Sequence, residues 1–507
     1  MQLQELVLCA TAPSSSNPGP GSIALHDIQT GATLASFKQA SAGPHCTAVT
    51  HTRDGQGGFM LAAQPDKSIM NVYNFQRDQL ALKIVLPEKL SCIAVDASGV
   101  LCAAGTSQGR LYIWEAPSGI MYNAWDAHYR QVNVLRFTQD SAALLSGSED
   151  SVVNVWSVSR LLEDSTQNEL PAPYATLSDH TLPVTDLVVG AGAFPKCRVL
   201  TSSVDHSVWD LESKSLLTTF QFPRPISNLV WDYTERLFFA ASPDGFIHQV
   251  NLFKQRDDKL SRVMEAVGGG GSTDVVRITD EDQQAARKRL IAVDQPVTSM
   301  TISLTSSLLL VGTAGGLVHV YDIASHQLLR TFTTHKGLTI AHLQTMLKPP
   351  DLVGHVSLAL GAGGPADTRD AIPVRPVAPF QRMRDPKARD AHEVAVMLAP
   401  SRSKPPPAFF AYGMDELLRD HASFVQPAGA AQQGGVPLQT RVAELESEVA
   451  RLREQLGKAK SINDTMWEAV VQRVVAEGKE KAREGAMEVD AEEEGAARGK
   501  RQKRARS

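Results

Sequence analysis

The chain has 507 residues and a formal net charge of −5, so it exceeds a single compact domain and lacks the basic overall character of a nucleic-acid-binding surface. Hydrophobic residues make up 43% of the chain, an ordinary share for a globular protein, yet no apolar run approaches the roughly 18 residues that a membrane helix needs. Residues Met1–Glu5 lack the basic start of a secretory signal.

The cysteines indicate reduced core thiols of a cytosolic or nuclear protein. They are Cys9, Cys46, Cys92, Cys102 and Cys197. Because their number is odd and no CxxC spacing occurs, neither a disulfide framework nor a zinc site is predicted. We expect no metal and no cofactor.

The dominant pattern is a repeat of about 40–45 residues made of short strands and polar turns, typical of β-propeller blades. Its clearest copy has predicted strands at Val132–Phe137, Ala142–Gly147 and Val152–Val158. Trp156 closes the third strand, and we call the residue at this position the anchor of a blade. Other anchors are Tyr73, Trp114, Trp209 and Tyr321, with His26 and Val250 as looser matches. Seven anchors predict seven blades.

In chain order, the first blade is predicted from strands at Glu5–Ala10, Ser22–Ile28 and Thr33–Phe37. The following blades are predicted at His45–Leu86, Ser91–Trp125, His128–Val158, Val184–Phe220, Ile226–Phe253 and Val297–Phe332. The first blade lacks its first strand, which would leave an open sheet edge. Residues 338–346 directly follow the last blade and are predicted to close the ring beside Leu6–Cys9. The propeller is therefore predicted to span residues 1–346.

Blade four carries polar residues that can hydrogen-bond in series and tie its strands together. They are His128, Ser146 (or Ser148), Asp150 and the indole of Trp156. Ser, His and Asp also form a hydrolase triad, but a partial set recurs at His180, Thr201 and Asp205. A catalytic site does not repeat with the blades, so the set is interpreted as structural and no catalytic residue is predicted.

Two features depart from the repeat. In blade five, Trp209 follows Asp205 by four residues where blade four has six. This predicts two residues missing from a strand, so that either its register or the pocket of Trp209 must adjust. In blade six, residues 254–288 separate the third and fourth strands. This insertion contains Gly268–Gly271 without the lysine of a phosphate loop, so it is predicted to be flexible.

The composition changes after residue 346. Residues 347–437 are rich in proline and predict an extended segment. Its aromatic residues, Phe380 and the cluster Phe409–Tyr412, indicate that parts of it lie on the propeller or on a partner.

Residues 438–475 show apolar side chains at spacings of three and four, which predicts an amphipathic helix. The seam consists of Val442, Leu445, Val449, Leu452, Leu456, Asn463 and Met466. A single helix with one apolar stripe is marginal in water, so the seam needs a partner. Packing onto the propeller is the alternative. Valine and leucine at alternating core positions with one asparagine favour a parallel two-stranded coiled coil, and thus a homodimer.

The tail, residues 476–507, is predicted to be disordered and divides by charge. An acidic run at Glu488–Glu494 precedes a basic end that contains Lys500, Arg501, Lys503 and Arg504. The basic end is interpreted as a nuclear import signal or an RNA-touching arm, with a merely solvated end as the alternative. Import is favoured because no aromatic residues interleave with the basic ones.

Particular phrases along the chain resemble one family. They are His128–Val132, Leu182–Leu187, Thr201–Asp205 and Arg441–Glu446. Together with the order of propeller and terminal helix, they resemble the WD-repeat subunit of the pre-rRNA-processing complex of the large ribosomal subunit, over roughly residues 1–475. The fold class expected is all-β: a seven-bladed WD-repeat β-propeller, an extended segment and a C-terminal α-helical coiled coil.

The resemblance implies a non-catalytic nuclear scaffold, found in the nucleolus and nucleoplasm. In that family the subunit pairs through its terminal helix and joins a helical-repeat scaffold subunit and a further subunit. The complex docks on pre-60S particles, assists removal of the second internal transcribed spacer and works with a dynein-like AAA ATPase.

Two other classes of function remain for comparison. One is a WD-repeat adaptor or substrate receptor in another pathway, including a ubiquitin ligase, chromatin or replication licensing. The other is an enzyme, which the absence of a P-loop or nucleophile elbow in the sequence argues against. No membrane partner is expected.

Overall fold

Short strands form most of the regular structure in the computed structural model. The structure describes residues 4–14, 19–52, 56–163, 171–178, 180–203, 205–210, 214–258, 261–267, 275–278, 290–352, 374–385, 387, 389, 392, 445–470 and 472–473. The chain divides into two compact units, Met1–Ser401 and Arg402–Ser507. The first unit therefore extends past the predicted propeller boundary at residue 346.

The strands of the first half follow the predicted blades. The first three are β1 (Glu5–Ala12), β2 (Ser22–Asp27) and β3 (Thr33–Lys38). The next sheet consists of β4 (Thr47–Thr50), β5 (Phe59–Gln64), β6 (Ile69–Asn74) and β7 (Leu80–Val85). The third consists of β8 (Leu90–Val95), β9 (Leu101–Thr106), β10 (Arg110–Glu115) and β11 (Met121–Asp126). The fourth consists of β12 (Val132–Phe137), β13 (Ala143–Ser148), β14 (Val153–Ser157) and β15 (Ala175–Leu177), with helix α1 (Val158–Leu162) after β14.

The second half is less regular. The fifth sheet contains β16 (Asp186–Val189), β17 (Arg198–Ser202), β18 (Asp205–Asp210) and β19 (Ser215–Gln221). The sixth begins with β20 (Asn228–Trp231), β21 (Leu237–Ala241) and β22 (Phe246–Asn251). Strands β23 (Phe253–Asp258), β24 (Ser261–Ala266) and β25 (Val275–Arg277) then precede β26 (Leu290–Ala292), which completes the sixth sheet. The last sheet consists of β27 (Val297–Ile302), β28 (Leu308–Thr313), β29 (Val318–Asp322) and β30 (Leu328–Phe332), and β31 (Thr339–Leu347) follows it.

Burial explains the strand pattern within each blade. The middle strands are buried on both faces, as in β9 and β13, whose six residues are all buried. The outer strands β3, β7 and β11 instead alternate between inward-facing and exposed residues, as expected for a half-covered edge. The hydrophobic clusters lie between neighbouring sheets. One, for example, joins Trp125 of the third sheet to Trp156 of the fourth, so each blade is stabilised by its neighbours.

Within the described residues, six sheets have four antiparallel strands, one has five, and β23 and β24 form a separate hairpin. The architecture is that of an all-β propeller. The five-stranded sheet corresponds to predicted blade five, because β25 pairs in parallel with β19. The insertion that the sequence predicts as a flexible loop thus contributes a hairpin and one strand of a neighbouring sheet.

The shortening of blade five lies in the connection between two strands. Strand β18 keeps six residues, whereas only residues 203–204 separate it from β17. In blade four, residues 149–152 separate β13 from β14. The prediction that residues are missing from a strand is therefore wrong, since the connection between the two strands is shorter and the strand pairing remains continuous.

The first sheet combines the two ends of the propeller. Strand β31 pairs antiparallel with β1, with Leu6 opposite Met346 and Cys9 opposite Leu343. This is the partner that the sequence predicts for the open edge of the first blade. The pairing removes the free edge and leaves the sheet with four strands.

Candidate functional site

The blade-four residues form a continuous hydrogen-bonded chain. The ring of His128 contacts Asp150 through Nδ1, at 3.0 Å from Oδ2, and Ser146 Oγ through Nε2, at 2.7 Å. The indole Nε1 of Trp156 donates to the same Oγ at 3.0 Å. Ser148, the other serine considered, donates to the carbonyl of Arg130 instead. The arrangement ties the loop before β12 to β13 and β14.

Two opposing effects act on the pKa of Asp150. Burial raises it, but the hydrogen bond and the charge of His128, with backbone N–H groups of Tyr129 and Val152, together outweigh burial. The net result is a pKa below the ordinary value of 3.8. The carboxylate is therefore ionised at neutral pH and accepts all of these bonds.

This geometry does not fit a hydrolase. The oxygen of Ser146 already accepts the indole proton of Trp156, and its side chain is completely buried. Substrate cannot reach it without unfolding of the blade. A related pair occurs in blade five, where His180 Nε2 lies 2.7 Å from Thr201 Oγ1. The side chains of Asp205 and Trp209 lie outside the described residues.

The anchor of blade three, Trp114, is hydrogen-bonded to a residue outside its own sheet. The indole of Trp114 is fully buried and donates at 2.9 Å to the carbonyl of Gln381, which is 267 residues further along the chain. The ring of Phe380 stacks on the indole, with centroids 5.2 Å apart. The expectation that Phe380 lies on the propeller is confirmed, whereas the cluster Phe409–Tyr412 lies outside the described residues.

We call residues 374–385 the strap. Its backbone is fixed at two points, because Ala378 donates to Ala116 at 2.9 Å and Gln381 donates to Gly119 at 2.8 Å. The side-chain amide oxygen of Gln381 also accepts from the N–H of Met121 at 3.2 Å. The sequence suggested contact through Phe380 but not these backbone bonds, for which it contains no pattern.

A cavity of about 510 Å³ lies where innermost strands of the sheets face one another. It is lined by residues of β4, β8, β12, β16, β20, β27 and β31. Nearby, Arg136 lies 3.8 Å from Asp186, and Asp186 also accepts the backbone N–H of Leu229 at 2.9 Å. Burial, followed by the charge of Arg136, lowers the pKa of His342 to about 4, so this histidine is neutral at physiological pH.

Residues 445–470 of the second unit form a helix, α2. Predicted seam residues Leu445, Val449, Leu452 and Met466 are between 47% and 62% exposed, and Leu456 is 72% exposed. Asn463 is also exposed on this helix. Val470 falls seven residues after Asn463 and is 51% exposed, so it extends the stripe by one position that the sequence analysis omitted.

Val442 of the seam and Lys500, Arg501, Lys503 and Arg504 of the tail lie outside the described residues. Among the helices that the structure does describe, none is sufficiently long and apolar to span a membrane.

Comparison with known proteins finds relatives that are similar over most of the chain. A family model described as WDR54 matches residues 38–172. "Pre-rRNA-processing protein IPI3" of Mycosarcoma maydis is 34% identical, over 82% of this chain and 86% of its own length. The IPI3 protein of Yarrowia lipolytica is 29% identical over 92% of this chain and 98% of its own. "WD repeat-containing protein 18" of Homo sapiens is 31% identical over 62% of this chain and 68% of its own.

The blades, their anchors and the blade-four hydrogen bonds, with these relatives, define a WD-repeat β-propeller protein. The Yarrowia alignment covers more of the chain than the 401 residues of the first unit, so the similarity extends into the second. Identity and coverage together place the chain in the family of Pre-rRNA-processing protein IPI3 and WD repeat-containing protein 18.

Proposed function

We propose that this chain is a non-catalytic scaffold subunit of a nuclear complex that acts in maturation of the large ribosomal subunit. The observation that carries the proposal is the similarity to IPI3 proteins, which covers the propeller and continues beyond it. A relative that shared only the repeats would match the propeller alone. The buried, fully bonded Ser146 fits a structural use of the polar residues.

The propeller is proposed to have seven blades, with the five-stranded sheet as a blade that has gained a parallel strand. The cavity lined by seven innermost strands supports this count. Such a ring is a rigid platform, because each blade packs on two neighbours and its loops are held at fixed positions. Exposed loop residues such as Tyr129, which is 98% exposed, are then available to partners.

The second unit is proposed to pair two copies of the chain through a parallel coiled coil of α2. The exposed apolar stripe of α2 supports this proposal, since water is a poor environment for it. Two copies in one complex raise the effective concentration of each attached surface, which helps a weak scaffold hold a large particle.

The proposed partners are those of the resembling family. They are a helical-repeat scaffold subunit, a further subunit of the pre-rRNA-processing complex, the pre-60S particle and a dynein-like AAA ATPase. The step served is removal of the second internal transcribed spacer. The basic end of the tail would direct import into the nucleus, where this step takes place.

The test is purification of the tagged full-length chain from its own cells, followed by sequencing of the bound RNA. We expect precursors that contain the second internal transcribed spacer, and accumulation of the same precursors when the chain is depleted. Recovery of a ubiquitin ligase or of replication proteins without pre-ribosomal RNA would contradict the proposal and favour an adaptor role.

A further inference from the structure

Three side chains of metal-ligating type meet in the first sheet, where the two ends of the propeller pair. Cys9 lies on β1, His26 on β2, and His335 in the turn before β31. All three are buried. The Nε2 atoms of the two histidines are 2.8 Å apart, and one ligand atom from each of the three residues lies within 4.8 Å of the others. No other group of this kind occurs among the residues that the structure describes.

These residues occupy the positions that the hydrogen-bonded chain occupies in blade four. His335 precedes β31 by four residues, as His128 precedes β12. In blade four, the anchor Trp156 pairs with Leu144, and Ser146 follows Leu144 by two positions. In the first blade, the anchor His26 pairs with Val7, and Cys9 follows Val7 by two positions. The equivalents of His128, Ser146 and Trp156 are therefore His335, Cys9 and His26.

The fourth member of the blade-four chain has no equivalent in the first blade. Asp150 follows Ser146 by four residues, and the residue four after Cys9 is Pro13, which has no side-chain acceptor. The ring of His335 thus loses the carboxylate that orients His128. What replaces the hydrogen-bonded chain is a thiol and two imidazoles, the donors that bind zinc most often.

The geometry is close to that of a zinc site. With bonds of about 2.0–2.3 Å in a tetrahedral site, neighbouring ligand atoms are about 3.4–3.6 Å apart. The three atoms are within 4.8 Å of one another, and binding of an ion would move the two Nε2 atoms apart from their present 2.8 Å. The three residues supply three of the four positions of such a site. The other ring nitrogen of His26 lies 3.1 Å from Thr33 Oγ1, a contact of the type that orients metal-bound histidines.

We propose that Cys9, His26 and His335 bind a zinc ion at the junction of β1, β2 and the turn before β31. One thiolate and two imidazoles suit Zn²⁺ better than Mg²⁺ or Ca²⁺, which prefer oxygen ligands. His26 and His335 are 309 residues apart in the chain. The ion therefore cross-links the two ends of the propeller and stabilises the closed ring.

The alternative without metal is a plain hydrogen bond between two neutral imidazoles beside an inert thiol. The two arrangements differ in what the thiol does. A zinc site requires the sulfur of Cys9 as a ligand, whereas the hydrogen bond between the histidines does not involve it. Substitution of Cys9 is therefore the discriminating change.

The experiment measures metal in the purified full-length chain and in matched variants. Zinc content after extensive dialysis is determined by mass spectrometry, and cobalt is then substituted for zinc to follow thiolate-to-cobalt absorption. The variants are Cys9→Ala, His335→Gln and, as control, Cys102→Ala. Cys102 is an equally buried free thiol on β9 that is not part of the cluster, so its removal costs comparable packing.

We expect stoichiometric zinc and the cobalt–thiolate band in the unmodified chain and in Cys102→Ala, and the loss of both in Cys9→Ala and His335→Gln. Chelation should lower the melting temperature of the unmodified chain but not that of Cys9→Ala. An unmodified chain that holds no zinc and gives no cobalt–thiolate band would overturn the proposal, whether or not the variants fold. Retention of zinc in Cys9→Ala would overturn it as well. Neither result depends on the proposed role in ribosome maturation.

Discussion

Trp156 combines two contributions to blade four, because its ring packs in the core and its indole N–H bonds Ser146. The side chain is 3% exposed and meets Trp125 of the neighbouring blade edge-on, with centroids 5.3 Å apart. We expect Trp156→Ala to lower the free energy of unfolding of the propeller by about 3–5 kcal/mol, as for other large-to-small core changes. Denaturant unfolding measures this. Tyr129→Ala, which removes a side chain that is 98% exposed, should leave the free energy of unfolding nearly unchanged. Equal losses in the two variants would contradict the role of Trp156 in the core.

Asp150 makes the stability of the propeller depend on pH. Its pKa in the folded protein is below 3.8, so its contribution to stability is complete above that value and disappears as the pH falls through the folded pKa. Asp150→Asn should therefore be less stable than the unmodified chain at neutral pH, with a difference that narrows below pH 3.8. Urea unfolding of both proteins across this range measures the difference. A difference that stays constant with pH would show that the charge of Asp150 is unimportant.

At the scale of elements, the strap supplies blade three with a hydrogen bond of the kind that blade four makes within its own sheet. Trp156 donates to Ser146, which stands two positions after Leu144, the residue that Trp156 pairs with. Trp114 pairs with Cys102, so the corresponding residue of blade three is Ala104, and Trp114 donates to Gln381 of the strap instead. Alanine has no side-chain acceptor, so the strap carbonyl bonds an indole N–H for which blade three offers no acceptor at this position. The strap is therefore part of the third blade's core rather than a passive linker.

Phe380→Ala tests this role. The side chain is 4% exposed and stacks on Trp114, so its removal should release the strap and open the amides of Ala378 and Gln381 to hydrogen exchange. Blade four should keep its protection, since the strap residues Ala378 and Gln381 bond to blade three. Met383→Ala is the control because Met383 is 78% exposed. Unchanged exchange at Ala378 in Phe380→Ala would mean that the backbone bonds alone hold the strap.

The same elements show how far the sequence predicts this structure. Strand alternation and the anchors located the blades, and the missing strand of the first blade identified β31, because these patterns are local or follow from a sheet edge that must be paired. The parallel pairing of β25 with β19 and the backbone bonds of the strap join segments distant in sequence, and no side-chain periodicity encodes them. The cluster of Cys9, His26 and His335 was missed for the same reason, although a histidine at an anchor position was a signal that could have revealed it.

At the scale of the whole molecule, the chain divides into two units, which are proposed to act as a rigid platform and as a pairing element. The first unit holds its core between blades and covers its third blade with the strap. The second presents a helix whose apolar stripe is exposed. Salt bridges such as Glu454–Lys458, at 2.7 Å, lie on the face of the helix away from that stripe and support the helix by only about 0.3–0.5 kcal/mol each. Burial of the stripe against a second copy would contribute much more.

The double variant Leu445→Asp and Leu452→Asp tests this division. Two carboxylates in the seam should abolish pairing, because burying them without partners is costly, while the propeller keeps its melting temperature since the seam lies in the other unit. Light scattering of the full-length chain should then report a dimer for the unmodified protein and a monomer for the variant. Ser447→Asp with Ser461→Asp adds the same charge away from the seam and should remain dimeric. A monomer in all three proteins would assign the stripe to a different protein, and a dimer in all three would place the pairing surface outside α2.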